Sequence, residues 1–193
     1  MFLMDSTTLI VLVAVGAVVL IIIGIVAWYI STSNKFHIMT TKIDEAESGI
    51  DVALTKRYDL LTKLFQIAKG FAKHERETLE AVIAMRNPGA KAQMSEKIEF
   101  NSKMTEAMNT LNVVSEKYPE LQANSNFVTL SHATIEVEEQ LQAARRLINS
   151  NVSIYNQRIK IFPSSFVARR MGLLPKEFFQ AEDVKKKDVE FNF

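Results

Sequence analysis

The sequence predicts an all-α protein: an N-terminal transmembrane helix continuing into a long antiparallel three- to four-helix bundle, then a short C-terminal helix and an extended tail. Three observations lead there. Residues 9–30 contain no charged side chain. Apolar residues beyond them recur at steps of three, four and seven, the spacing of amphipathic helices. Only 6 Gly and 4 Pro occur in 193 residues, which favours long uninterrupted elements.

Residues 1–8 form a short tail ahead of the span, which runs from Leu9 to Ile30. At about 1.5 Å of rise per residue this stretch reaches roughly 33 Å, enough for a hydrocarbon core of about 30 Å. A helix satisfies its own backbone groups, so lipid is a tolerable solvent for it. Trp28 and Tyr29 stand at its end, where amphipathic rings favour the membrane boundary. The run is too long for a signal peptide, and its N-terminal flank carries Asp5 but no Lys or Arg. A retained anchor is therefore expected. Lys35 and Lys42 follow the span and no cation precedes it. That asymmetry places the N-terminus outside and the following domain in the cytoplasm. Gly16 and Gly24 lie eight apart on roughly one face without forming GxxxG; tolerated glycine is the leading reading, and close approach of neighbouring spans at these small residues is the alternative.

The bundle is expected over residues 31–162, with helices at about 35–86, 92–117 and 125–162. The first carries Ile43, Ala46, Ile50, Leu54, Leu61, Leu64, Ala68 and Phe71 at helical spacing. With no Pro near the join, the span can run on as a rod of about 80 Å over some 55 residues. The polar cluster of Ser31, Thr32, Ser33 and Asn34 is the place where a kink or break would fall. Asn87, Pro88 and Gly89 stop the first helix, and Tyr118 with Pro119 stops the second. The third, from Phe127 through Leu141 and Ile148 to Tyr155, is the cleanest amphipathic pattern and closes at Phe162 and Pro163. Ser164 or Ser165 can cap a short helix that Gly172 ends. The last residues alternate Val189, Phe191 and Phe193 with polar neighbours, which suits an extended segment that contacts the bundle or a partner.

Chemistry is sparse. The chain has no Cys, so thiolate sites and disulfides are excluded. His74 and Glu75 begin like a zincin helix, but position 78 is Thr where the second His belongs. No phosphate-cradling glycine loop and no serine-hydrolase elbow occurs. With 23 Lys+Arg against 22 Asp+Glu, the basic excess of a nucleic-acid binder is missing. Neither a cofactor nor a metal is expected, nor an enzyme.

Several strings in order, IDVALTKRYDLLTKLFQIAKGFAKHE (50–75), SEKYPELQANSNFVTL (115–130) and EEQLQAARRLINSNVSIYNQRIKIFPSSFVA (138–168), together resemble the LemA family of bacterial membrane proteins. The arginine at Arg86 and the closing VEFNF fit the same pattern, and the resemblance covers about residues 30–193. It implies a helical bundle behind one N-terminal span in the bacterial cell membrane, with no established enzymatic activity. Family-pattern positions present here include Arg57, Asp59, Gly70, His74, Glu75, Arg86, Glu116, Tyr118, Glu138, Arg145, Asn149, Tyr155 and Asn156. The chain departs from the pattern at Ile148, where the family usually has Tyr. Arg57, His74, Glu75, Arg86, Glu116, Glu138 and Arg145 lie on or beside apolar faces and are expected to form inter-helix Arg–Glu pairs that set register. The leading expectation is a self-assembling scaffold, with coiled-coil contacts between copies, that organises or remodels membrane lipid. The alternative is an adaptor of a signalling complex or a membrane protease, the latter implied by the family's frequent gene neighbourhood with HtpX-type proteases.

Overall fold

The computed structural model describes residues 6–72, 85 and 87–180. Among these the chain is all-α and contains no strand. The helices are α1 (Ser6–Phe71), α2 (Met94–Lys117), α3 (Pro119–Gln122), α4 (Ser125–Lys160) and α5 (Ser164–Arg170). They divide into two compact units. One contains residues 6–42 and 154–176; the other contains the described residues between 43 and 153 together with 177–180.

The larger unit is built on heptads. Ile43, Ile50, Arg57 and Leu64 of α1 are buried at steps of seven, with Ala46, Ala53, Leu61 and Ala68 beside them. On α2 two interleaved rows, Lys97, Met104, Leu111 and Phe100, Ala107, Val114, are buried in the same rhythm. Phe127, Thr134, Leu141 and Ile148 form the equivalent row on α4. A sustained seven-residue period, close to two helical turns, keeps each buried row on one face of its helix. Three of these four rows carry one polar member among apolar ones, Arg57, Lys97 and Thr134; the row of Phe100, Ala107 and Val114 is wholly apolar.

The turns have local causes. Asn87 accepts a hydrogen bond from the Gly89 amide at 3.0 Å, and Gly89 adopts φ +83°, a region open to glycine at little cost. Glu96 reaches back to accept from the Gln93 amide at 2.9 Å and closes the first turn of α2. Asn124 caps α4, its side-chain oxygen accepting from the amides of Asn126 and Phe127.

In the smaller unit, the first part of α1 is apolar and exposed: every described side chain from Thr7 to Trp28 faces outward. This stretch is long and apolar enough to cross a membrane. A Cβ built on Gly16 or Gly24 would meet nothing within 4 Å. The span runs on into the bundle helix as expected, and no break occurs at Ser31–Asn34: α1 is continuous through all four residues. Ser, Thr and Asn each cost a helix interior only several tenths of a kcal/mol, and without Pro or Gly nothing forces a break. Phe36 packs edge-on against Tyr155 of α4, ring centres 6.3 Å apart, and both are buried.

The expected cap on α5 is corrected. The Ser164 hydroxyl lies 2.7 Å from the Arg158 carbonyl and 2.8 Å from that of Ile161, so it serves the end of α4 and not the start of α5. Gly172, at φ +67°, ends α5 with paired bonds from the Gly172 and Leu173 amides to the Arg169 and Ala168 carbonyls. Residues 173–180 then run without helix.

Candidate functional site

The most concentrated polar chemistry lies inside the larger unit, around Arg57. Its position in the α1 heptad row carries the guanidinium into the core, where the residue is 5% exposed. Nη1 donates to Asn101 Oδ1 and Nη2 to Thr105 Oγ1, the latter at 3.2 Å, both on α2. Nη2 also lies 3.1 Å from Glu138 Oε2 on α4, near enough for charge attraction but without hydrogen-bond alignment. Glu138 accepts from Gln142 at 2.9 Å, and Arg145 donates weakly to Gln142 at 3.5 Å. The Arg145 guanidinium sits 5.3 Å from the centre of the Phe179 ring. Arg57 Nε is buried without a hydrogen-bond partner. Burial lowers the Arg57 pKa from its ordinary value; Glu138 opposes the change and Arg145 adds to it.

This layer joins three helices through a guanidinium and its acceptors. Arg57, Glu138 and Arg145, all singled out in the sequence, meet here. Glu116 does not: it is exposed on α2. His74, Glu75, Arg86 and the tail residues Val189, Phe191 and Phe193 lie outside the described residues.

A second ionic site was hidden from the sequence reading. Lys97, 1% exposed, directs its ammonium at Glu47 Oε1 (2.8 Å), Asp51 Oδ1 (2.7 Å) and the Ala90 carbonyl (3.2 Å). Its three protons thus have three acceptors. Burial acts against the charge, but hydrogen bonds to Asp51 and Glu47 outweigh it and raise the pKa above the ordinary lysine value. Two signals could have found it: Lys97 falls in step with Met104 and Leu111, and Glu47 and Asp51 stand four apart on one face of α1.

Two asparagines on α4 hold the chain that follows α5. In the larger unit, Asn149 donates to the Phe179 carbonyl at 3.0 Å and accepts from its amide at 2.8 Å. In the smaller unit, Asn156 treats Lys176 identically, at 2.8 and 2.9 Å, and the Tyr155 hydroxyl donates to the Leu174 carbonyl. Each carboxamide imitates a neighbouring strand and satisfies a backbone that has no helix of its own. Burial raises the Tyr155 pKa. Asn156→Ala removes both bonds to Lys176, a loss of about 1–3 kcal/mol at 0.5–1.5 per bond. Trypsin should then cleave after Lys176 several-fold faster than in the unaltered protein, as followed by mass spectrometry.

The smaller unit has a different character. Its described residues carry Lys35, Lys42, Arg158, Lys160, Arg169, Arg170 and Lys176 and no Asp or Glu. A cavity of about 140 Å³ lies just past the apolar stretch, between Trp28, Lys35 and Phe36 on α1 and Arg158, Pro163 and Ser164 at the turn from α4 to α5. Among the described residues no group of three or more His, Asp or Glu side chains is placed to hold a metal ion.

Protein LemA of Metamycoplasma hominis is 25% identical over 164 residues, covering 84% of this chain and 75% of that protein. The sequence profile of the LemA family matches residues 46–193, which include the Arg57, Lys97 and Asn149 contacts. The chain, matched over well more than half its length, belongs to the LemA family.

Proposed function

We propose that this protein is a non-enzymatic, membrane-anchored helical scaffold that assembles with copies of itself and organises or remodels the membrane around it. One observation carries the reading: an apolar helix exposed on all sides continues without a break into the bundle helix. Such a surface is stable only in lipid or against other apolar surface. The bundle adds single exposed apolar side chains at Val52, Val113, Ile135 and Leu147, which offer lateral contacts between copies. Its buried charges, Arg57 and Lys97, are bound into packing contacts between helices. The anchor crosses the bacterial cell membrane once, with the bundle on the cytoplasmic side.

The full-length protein extracted with lipid is expected to form particles of several copies by light scattering and electron microscopy, and to change the shape of vesicles that contain it. A strictly monomeric particle in mild detergent, with vesicles unaltered, would falsify the proposal. A stoichiometric second protein recovered by crosslinking in native membranes would favour the adaptor role, a membrane protease being one such partner.

A further inference from the structure

We infer that the cavity beside Trp28 binds the phosphate headgroup of an anionic phospholipid. Lys35 stands five residues beyond Ile30, so at about 1.5 Å per residue it lies roughly 7–8 Å past the apolar stretch. That is the depth of the headgroup layer, which adds about 5–8 Å on each side of the hydrocarbon. Arg158 faces the same cavity from the last turns of α4. Among the described residues neither cation has a carboxylate within ion-pair distance, and both are exposed.

The surroundings select lipid over a free anion. At the α4–α5 turn Phe162 is 82% exposed, with Phe166 and Ile161 close to 60%. Aromatic and aliphatic side chains held outward next to a span are stable where water gives way to acyl chain. Lys35, Arg158, Lys160, Arg169 and Arg170 lie in this unit, whose described residues contain no Asp or Glu, and together add a field that draws anionic headgroups. Ser31, Thr32 and Trp28 also line the cavity, and their hydroxyl and indole N–H groups are donors of the kind phosphate oxygens accept. Ser164 is not among these donors, because its proton is committed to backbone carbonyls. A phosphodiester seated between Lys35 and Arg158 would place its acyl chains beside Phe162 and the end of the span.

This inference rests on the membrane-anchored part of the proposed function and is independent of self-assembly. Trp28 is the single tryptophan of the chain, so its emission reports on the cavity. Full-length protein in a neutral detergent micelle is titrated with short-chain phosphatidylglycerol, with phosphatidylcholine of equal chain length, and with inorganic phosphate. A saturable change in Trp28 emission is expected for phosphatidylglycerol, with at least tenfold weaker responses to the other two. The Lys35→Gln, Arg158→Gln variant should lose at least tenfold in affinity at unchanged helicity, and Lys35→Arg should keep it. Equal responses to the two lipids, phosphate binding as tightly as phosphatidylglycerol, or an unweakened double variant would each overturn the inference. Any of these results leaves the particle-size test of the scaffold standing, and a monomeric particle leaves this titration standing.

Discussion

Arg57→Met should lower the thermal midpoint of the full-length protein in detergent by about 4–16 °C, read from helical circular dichroism. The figure follows from a loss of about 2–4 kcal/mol, at roughly 2–4 °C per kcal/mol for a chain of this size. The loss arises on the acceptor side. Asn101, 8% exposed, loses its donor, and a buried acceptor left alone retains its full desolvation cost. The Thr105 hydroxyl still donates to the Asn101 carbonyl at 3.1 Å, so its loss is smaller. Glu138 is 38% exposed at its side chain and can turn to water, which keeps the effect below that of a fully buried ion pair.

The same reasoning orders three variants. Glu138→Gln should cost about 1 kcal/mol, because Arg57 keeps Asn101 and Thr105 as acceptors. Arg57→Met with Asn101→Leu should recover at least half of the single-variant loss, since replacing both buried partners by apolar groups of similar shape removes the unpaired acceptor. An Arg57→Met protein as stable as the original would show that the buried guanidinium contributes nothing net. The orphaned Arg57 Nε makes that question real, because the site is already incompletely satisfied.

The two ionic sites also show what was legible in the sequence. Heptad spacing is periodic and local, so the helices and much of the inward face of α1 could be read from residue order alone, whereas Phe71 and Phe162, in step with the apolar rows, are exposed. Arg57, Glu138 and Arg145 stood out because charges beside apolar faces need partners. Which partner each would take could not be read. Glu138 has Arg145 seven residues away on its own helix, yet it lies against Arg57 across the core, while Arg145 lies over Phe179. Partner choice depends on which seams face each other, a tertiary fact with no signature in one strand of sequence. Lys97 escaped for a related reason: lysine on a polar-looking helix normally marks the solvent side. The polar cluster at Ser31–Asn34 marked where a break would fall, but residues that favour caps and turns were carried through by the helix on either side.

Lys97→Met removes the ammonium that pairs with both Glu47 and Asp51 and should cost about 2–4 kcal/mol at neutral pH. The two carboxylates lie one turn apart on α1, and without the ammonium they repel. Their side-chain exposures of 29% and 19% allow partial rehydration, which sets the lower end of the range. The pH dependence separates this cause from lost packing. The folded-state pKa of Lys97 is raised above its ordinary value, so the folded state holds this proton more tightly than the unfolded chain does. The resulting stability is fully present below the ordinary lysine value of about 10.4, and is lost as pH rises through the raised value. The gap in thermal midpoint between the original protein and Lys97→Met should therefore hold from neutrality to about pH 10 and narrow above it. Tyr155, its pKa also raised, destabilises the fold in the same alkaline range. It is present in both proteins and cancels from the difference. A gap unchanged at pH 11 would assign the loss to packing of the lysine stem, whereas a narrowing gap assigns it to the ammonium that joins the start of α2 to α1.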